Sequence, residues 1–218
     1  VDAKRGAAFT KLGNMIAIAA RGGTDPTTNS SLALAIEKAR AANMPNANIQ
    51  RAIDRINDKN AAALEEAVYE GYGPGGVGII IETASDNKNR TYPEVRTALT
   101  KNGGTMADSG SVMFQFARKG VIRVAASGEE ALLTVLDAGA EDAVEEDGGL
   151  TVYTDKKELA KVREALLAAG MTVEDAELQY VPNNTVAIED DETARKLTKI
   201  IDALEVLDDV TNVATNAA

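Results

Sequence analysis

The sequence predicts an α+β protein, with an N-terminal three-helix bundle followed by two small ferredoxin-like α+β domains, one inserted in the other. Three observations support this prediction. Apolar residues recur at helical spacing over the first 60 residues, the pattern becomes strand-like from Val77 onward, and the later elements read as one α+β unit nested within another. The predicted domains are residues 1–65, residues 66–118 plus 182–218, and residues 119–181.

Three amphipathic segments predict the helical bundle. Gly22–Gly23 and Asp25–Pro26 separate the first helix from the second. Asn29 and Asn43 are the predicted N-caps of the second and third helices, and Pro45 fits the opening turn of the third. The apolar positions at helical spacing are Phe9, Leu12 and Ile16, then Leu32, Ile36 and Ala39, then Ile49, Ile53 and Ile56.

Alternating strand and helix patterns predict the two nested α+β units, with capping boxes at three helix starts. The outer unit comprises strand Val77–Thr83, helix Tyr92–Lys101 and strand Ser111–Ala117, then strand Thr185–Ile188, helix Glu192–Leu204 and strand Val210–Thr215. The insert comprises strand Gly120–Ala125, helix Glu129–Leu136, hairpin strands Asp142–Glu146 and Leu150–Thr154, helix Lys156–Ala168 and strand Val173–Tyr180. The expected capping pairs are Thr91/Glu94, Ser127/Glu130 and Asp155/Glu158.

Missing residue types narrow the possible functions. The 218 residues contain no His and no Cys, which excludes imidazole bases, Ser-His and Cys-His nucleophile pairs, disulfides and the usual zinc ligand sets. We therefore expect no enzyme activity, no cofactor and no metal; a small-molecule enzyme in a cleft between the two α+β units is the alternative. No apolar run approaches the roughly 20 residues that span a bilayer, so we expect a cytoplasmic protein without membrane partners. The chain begins at Val1, which predicts a trimmed N-terminus.

Charge is unevenly distributed along the chain. The net charge is −11, yet residues 1–60 hold nine Lys/Arg and five Asp/Glu, whereas residues 119–181 hold six and fourteen. A locally basic segment can dock on phosphates within a Debye length of about 8 Å although the whole protein is acidic. We therefore expect any phosphate contact to come from residues 1–60; ordinary surface variation is the alternative. The acidic run 141–147 is interpreted as a solvated hairpin rather than a metal site.

Three cations repeat every four residues on the predicted third helix. Arg51, Arg55 and Lys59 would lie along one face, where they could follow a phosphate backbone. Asp54 and Asp58 are close in sequence, and their charge pairs with these cations favour a solvated face of salt bridges over a phosphate-binding face.

Two polar loops flank the strand that begins at Val77. Gly71–Gly76 precedes a strand and lacks a closing Gly-Lys-Ser/Thr, so it is interpreted as a linker turn between the helical domain and the outer unit. Asp86–Arg90 offers amide and cationic donors suited to phosphate or ribose contact, although a solvated turn would look the same. Tyr72 could stack on a base or seal the domain junction.

A single-strand RNA module needs exposed aromatic residues on its central strands, and two phenylalanines are the candidates in this sequence. Phe114 and Phe116 alternate with Gln115 in a predicted strand. Since Gln115 is the likelier solvent-facing residue, both phenylalanines are predicted to be core, and the standard RNA module is disfavoured.

Five segments in this order and spacing carry a family resemblance. They are Gly22–Pro26, Ala41–Pro45, Tyr69–Gly76 (Tyr-Glu-Gly-Tyr-Gly-Pro-Gly-Gly), Asp86–Thr91 and Lys119–Ile122. The chain resembles the YebC/PmpR family over nearly its whole length; mitochondrial members of that family activate translation of a cytochrome oxidase subunit. The basic start with Gly-His-Ser-Lys-Trp of similar members is absent before Val1, so duplex binding is expected to be weak and salt-sensitive.

The resemblance implies a non-enzymatic regulator of gene expression that acts by binding nucleic acid, as a DNA-binding transcriptional regulator. A ribosome-associated, RNA-binding translation factor is the first alternative, and an adaptor that engages basic proteins through the acidic C-terminal half is the second. Together with the charge distribution, the resemblance predicts a contact surface on the helical domain and the two loops. Its residues are Lys4, Arg5, Lys11, Arg21, Lys38, Arg40, Arg51, Arg55, Tyr72, Asn87, Lys88, Asn89 and Arg90.

Overall fold

The structure is a computed structural model that describes the backbone of residues 2–218 and the side chains of residues 6–218. Within this range the fold is mixed α+β, with seven α-helices and two four-stranded antiparallel sheets. The helices are α1 Asp2–Ala19, α2 Ser30–Ala41, α3 Asn46–Asp54, α4 Lys88–Lys101, α5 Glu129–Asp137, α6 Leu159–Ala168 and α7 Asp191–Glu205. The strands are β1 Glu65–Tyr72, β2 Gly78–Ser85, β3 Thr105–Ala107, β4 Phe116–Val124, β5 Asp142–Glu146, β6 Gly149–Asp155, β7 Val173–Pro182 and β8 Val210–Thr215.

The chain divides into two compact units. The first comprises Val1–Phe116 and Pro182–Ala218, with the sheet order β3-β1-β2-β8; the second is Ala117–Val181, with the order β5-β6-β4-β7. In the part of the chain that the structure describes, no helix combines the length and apolar character needed to cross a bilayer.

Helices α1 to α3 pack around a shared apolar core that includes Ile16, Leu32 and Ile49. The predicted cap of α2 is confirmed, since the Asn29 side chain accepts a hydrogen bond from the Leu32 N–H at 3.1 Å. These contacts follow from the helical spacing of apolar residues in the sequence.

Two predictions for the third helix are wrong. Asn43 is no N-cap: it follows α2 with φ 60°, a left-handed conformation that Asn tolerates at a helix end, and Pro45 stands before α3. The helix ends at Asp54 and a 3₁₀ turn covers Arg55–Asn57, so Ile56 is 41% exposed rather than core.

Strand β2 is buried on both faces, because Ile79, Ile80 and Ile81 are all fully buried on successive positions of a strand. Helices α4 and α7 pack against the core that contains Ile79 and Ile81, and α1 contacts both β2 and β8. The N-terminal helices and this sheet therefore belong to one compact unit.

Strand β1 has no counterpart in the sequence prediction. It pairs antiparallel with β2, with Tyr72 opposite Gly78, so the glycine-rich segment joins two strands of one sheet. The interpretation as a linker turn between the helical domain and the outer unit is wrong. Gly75 and Gly76 have φ 75° and 77°, which explains the glycines at this turn.

The predicted strand Ser111–Ala117 is also wrong. The third strand of the first sheet is β3, and Met113–Gln115 forms a 3₁₀ turn directly before β4. A 3₁₀ turn does not alternate side chains as a strand does, and as a result Phe116 is 7% exposed but Phe114 is 72% exposed. The prediction of a core position holds for Phe116 and fails for Phe114.

The elements from β4 to β7 run β-α-β-β-α-β, and Ile122 lies opposite Val152 in the β4–β6 pair. Where α5 and α6 start, the structure gives no side-chain cap, since Gly128 and Glu158 precede these helices without a capping hydrogen bond. In the first unit, Asn87 caps α4, and the segment predicted as strand 185–188 makes a single bridge, Val186 to Ala217. The predicted capping pair Thr91/Glu94 is also wrong, because Thr91 lies inside α4.

Candidate nucleic-acid interface

The two predicted contact loops lie at opposite ends of β2. The β1–β2 turn, with Tyr72, precedes Gly78, and the Asp86–Arg90 segment follows Ser85. Eight residues of strand span roughly 25 Å. The structure therefore presents two separate loop surfaces and not one continuous surface.

The loop after β2 is built as the start of a helix. The Asn87 side chain accepts a hydrogen bond from the Arg90 N–H at 3.3 Å, and the Asn87 N–H donates to the Ser85 hydroxyl at 2.9 Å. Asn87 is therefore occupied as the cap of α4. Asn89 is exposed and has no hydrogen bond in the described part of the chain.

Asp209, between α7 and β8, accepts hydrogen bonds from several side chains of this loop and so fixes its conformation. Its side chain is 5% exposed, and its carboxylate accepts hydrogen bonds from the Ser85 hydroxyl at 2.9 Å and the Thr91 hydroxyl at 2.7 Å. The Arg90 guanidinium donates to both carboxylate oxygens, at 2.8 and 2.9 Å from Nη2. Arg90 also contacts Asp86 at 3.1 Å.

This network fixes the charge states of Asp209 and Arg90. Burial opposes ionisation of Asp209, but hydrogen bonds from Arg90, Thr91 and Ser85 outweigh it and hold its pKa below the usual range. The hydrogen bond to Asp209 and the attraction between the two charges raise the pKa of Arg90. A phosphate would have to compete with two carboxylates for this guanidinium.

Lys88 is the other cation of the loop. It forms an ion pair with Glu65, and both side chains are more than half exposed. Such exposed pairs contribute about 0–1 kcal/mol and exchange readily. Lys88 is consequently available to a phosphate in a way that Arg90 is not.

Three of the predicted cations in the helical region bind main-chain carbonyls of the same unit. Lys11 donates to the Glu205 carbonyl, Arg21 to the Leu64 carbonyl, and Arg55 to the Ala62 carbonyl at 3.3 Å. Burial lowers the pKa of Lys11, although nearby carboxylates oppose that shift. These side chains fasten the helices to the rest of the first unit.

A polar cleft of about 480 Å³ lies where these helices meet the loop after β2. Arg55 and Arg90 line it, but carboxylates outnumber them, so its electrostatic potential disfavours a polyanion. The lining carboxylates are Asp86, Glu94, Asp208 and Asp209.

Two predicted cations stand apart from these internal contacts. Arg40, near the end of α2, and Arg51, on α3, are exposed, and the described part of the chain gives their side chains no hydrogen bond or ion pair. Lys38 is half-buried and has a partner. Lys4 and Arg5 lie outside the described side chains.

At the other end of β2, a buried carboxylate that the sequence analysis missed orders a second loop. Glu70 on β1 is 2% exposed and accepts hydrogen bonds from the N–H groups of Gly110, Val112 and Met113. Burial disfavours its charge, but these three donors hold its pKa below the usual range. Glu70 lies in the segment Tyr69–Gly76 that carries the family resemblance, whereas Glu65 and Glu66 do not, but no local pattern predicts that its carboxylate is buried.

Tyr72 belongs to this second loop region. Its hydroxyl donates to the Ser111 carbonyl at 3.2 Å and its side chain is partly buried. The structure thus places Tyr72 within the sheet, where it supports the loop that Glu70 orders.

Comparison with known proteins identifies the chain. Residues 64–217 match the family model described as TACO1/YebC second and third domain, and residues 1–59 match the TACO1/YebC protein N-terminal domain. The chain belongs to the TACO1/YebC family. The predicted resemblance is confirmed.

Relatives are similar over almost the whole of this chain and most of their own length. A probable transcriptional regulatory protein of Moorella thermoacetica is 50% identical over 224 residues, covering 100% of this chain and 89% of the relative. A protein of the same description from Halothermothrix orenii is 47% identical, covering 99% and 88%. The crystal structure of a conserved hypothetical protein from Aquifex aeolicus is similar with a TM-score of 0.93 and 43% identity, covering 100% of this chain and 91% of that one.

Proposed function

We propose that the protein is a non-enzymatic regulator of gene expression that binds nucleic acid, with transcription as its level of action. The similarity to probable transcriptional regulatory proteins over the full chain is the observation that carries this proposal. The lack of His and Cys supports a role without catalysis. The cytoplasm is the proposed location.

The proposed contact surface contains fewer residues than the sequence analysis predicted. Arg40 and Arg51 are exposed and have no side-chain partner among the described residues, and Lys88 and Asn89 are exposed at the start of α4. The contacts of Lys11, Arg21, Arg55 and Arg90 with their own chain assign these residues to the structure of the first unit. We propose that the exposed group, which consists of Arg40, Arg51, Lys88 and Asn89, contacts phosphates.

Binding of a labelled duplex to the full chain, followed by fluorescence anisotropy over a salt series, tests this surface. Each phosphate contact contributes about 0.9 to the slope of log K against log salt. The double variant Arg40→Gln/Arg51→Gln should lower that slope by about 1.8. Lys156→Gln/Lys157→Gln removes two exposed cations of the second unit and should leave the slope unchanged. An equal loss in both variants would contradict the assignment.

We also propose a division of the chain into three domains. We propose a three-helix bundle over residues 1–65, an outer α+β domain, and an inserted ferredoxin-like domain over residues 119–181. The β-α-β-β-α-β order and the strand order β5-β6-β4-β7 support the last of these. Limited proteolysis of the full chain should release a stable fragment close to residues 117–181.

The translational alternative stays a prediction, which the names of the relatives do not support. It is tested by sedimentation of the full chain in cell lysate, with and without ribonuclease. Ribonuclease-sensitive migration with ribosomal particles would replace transcription by translation as the level of action.

A basic protein partner is a second candidate, because one surface of α5 is suited to it. Leu133 is 57% exposed, and its neighbours one helical turn away include Glu129, Glu130 and Asp137. No Lys or Arg occurs between Arg123 and Lys156. A cationic peptide with an apolar side chain complements this surface, whereas nucleic acid is repelled from it.

The test is titration of the full chain with a synthetic Lys/Leu amphipathic peptide. Leu133→Ser should weaken binding, whereas Val206→Ser, at a 67% exposed valine of the first unit, should not. Equal binding by both variants would count against the α5 surface.

A further inference from the structure

Phe114 is the most exposed of the large hydrophobic side chains that the structure describes, at 72%. It lies in the 3₁₀ turn Met113–Gln115, at the end of the loop that Glu70 orders. Single exposed hydrophobic residues are common on protein surfaces and by themselves need no explanation. Phe114 differs from such residues because hydrogen bonds fix the backbone on both sides of it.

The backbone on both sides of Phe114 is fixed by hydrogen bonds. On the N-terminal side, the Glu70 carboxylate accepts from the Val112 N–H at 2.7 Å and the Met113 N–H at 2.8 Å. On the C-terminal side, the Asn183 N–H donates to the Gln115 carbonyl at 2.8 Å. The Asn183 side chain donates to the Phe114 carbonyl itself at 3.3 Å.

Side chains beside Phe114 are also engaged, which leaves its ring as the free group. Val112 is fully buried, and the Gln115 amide oxygen accepts from the Asn216 side chain at 2.9 Å. Burying the charge of Glu70 opposes folding, and its three backbone hydrogen bonds offset that cost. The chain thus uses a buried charge to hold a loop whose tip is an exposed aromatic ring.

We propose that Phe114 stacks on an unpaired base of single-stranded nucleic acid, an inference that rests on the proposed function. Stacking requires an accessible ring face, which the 72% exposure of Phe114 provides. Asn183, whose side chain donates to the Phe114 carbonyl, is exposed, and so are the small residues Ser109 and Gly110 earlier in the same loop. A protein interface would instead surround the aromatic with further apolar contacts.

The charge of the loop supports base contact over phosphate contact. Asp108 is the single charged residue among residues 108–115, so the loop offers no cation to a phosphate. The amides at its edge can donate to and accept from base edges, which are accessible in a single strand and largely covered in a duplex. Because the backbone is already ordered, binding requires little further loss of conformational freedom.

The experiment uses Phe114→Trp, since the chain contains no Trp and the new indole would be the only one present. The full-length variant is titrated with a 20-nucleotide mixed-sequence single strand, as RNA and as DNA, while indole emission and the anisotropy of the labelled strand are recorded. The matched control is Val206→Trp, at another exposed position of the first unit. Inorganic polyphosphate serves as a polyanion without bases.

Stacking predicts quenching of the Phe114→Trp emission by the single strand, no quenching by polyphosphate, and no quenching of Val206→Trp. In parallel, Phe114→Ala should weaken single-strand binding by roughly 10-fold, because base–aromatic stacking contributes about 1–3 kcal/mol per base. The RNA and DNA arms identify which sugar is preferred.

Three outcomes would overturn the proposal and are distinguishable. If anisotropy reports binding but the Phe114→Trp emission does not change, base stacking by Phe114 is wrong and nucleic-acid binding stands. If anisotropy reports no binding of either single strand or of the duplex, the proposed function fails and the stacking proposal fails with it. Quenching by polyphosphate alone would show an electrostatic effect and would also contradict stacking.

Discussion

The two loops at opposite ends of β2 use the same physical device with opposite results. Each is ordered by a carboxylate that is almost fully buried: Asp209 below the loop after β2, and Glu70 below the loop that precedes β4. Asp209 binds side chains, among them the guanidinium of Arg90, whereas Glu70 binds backbone N–H groups alone.

The difference decides which loop has a side chain free to bind. The bonds to Asp209 occupy the loop's arginine, so a charged residue that looks functional in the sequence is held within the structure. The bonds to Glu70 leave every side chain of its loop unoccupied by the carboxylate, and Phe114 extends into solvent. A buried carboxylate that accepts hydrogen bonds from side chains therefore makes those side chains unavailable to a ligand. One that accepts only from backbone N–H groups orders the loop and leaves its side chains available.

The largest expected change in the free energy of unfolding is for Phe116→Ala, and Phe114→Ala, two residues earlier, should have almost no effect. Phe116→Ala should lower the free energy of unfolding by about 4 kcal/mol, since it empties a buried site. Phe114→Ala should change it by less than about 0.5 kcal/mol, because the ring is exposed. Urea unfolding followed by circular dichroism measures both; a comparable loss in the two variants would place Phe114 in the core.

Removing the charge of Glu70 should have the next largest effect. Glu70→Gln replaces one acceptor oxygen by an NH₂ group that faces backbone donors, which should lower the free energy of unfolding by about 3 kcal/mol. Hydrogen exchange at Val112 and Met113 should accelerate in parallel. Glu66→Gln, at an exposed position of the same strand, is the matched control and should behave like the parent.

Asp209→Asn should cost less, about 2 kcal/mol at neutral pH, because the Ser85 and Thr91 hydroxyls can rotate to accept from the new NH₂ group, which the backbone N–H groups around Glu70 cannot do. The pKa of Asp209 is lowered in the folded state, so its contribution is present above the unfolded pKa of about 4 and is lost as pH falls through the folded value. The difference between parent and variant should shrink below about pH 4. A difference that is constant from pH 7 to pH 2 would contradict this charge state.

The smallest effect is expected for the exposed pair of Lys88 and Glu65. Lys88→Gln should leave the urea midpoint of unfolding unchanged, because both partners of the pair are exposed. Any weakening of DNA binding in this variant can then be attributed to a lost contact with the ligand. If the variant were strongly destabilised, Lys88 would belong with Arg90 among the structural cations.

Much of the fold follows from local sequence patterns. The helical period gives α1 to α3, and the Asn29 cap and the element order of the second unit are also read directly. The pattern fails for β1, which starts with two glutamates and has Glu70 and Gly71 between its two tyrosines. It also fails for the 3₁₀ turn at Phe114, which resembles an alternating strand.

The site is less predictable, because its features depend on contacts between distant segments. Glu70 reaches Gly110 and Val112 about forty positions away, and Arg90 reaches Asp209 across 119 positions. Sequence reasoning counts a cation as available wherever it occurs. The structure shows that Arg90 is held and Arg51 is exposed, which no local pattern distinguishes.

The most direct test of this account is an NMR titration of the full ¹⁵N-labelled chain with the 20-nucleotide single strand. We expect shifts at the amides of Met113–Gln115 and at the side-chain Nε–H signals of Arg40 and Arg51, with the Nε–H signal of Arg90 unchanged. A shifted Arg90 signal with no change at Met113–Gln115 would contradict it, since the loop held by Asp209 would then be the one that binds.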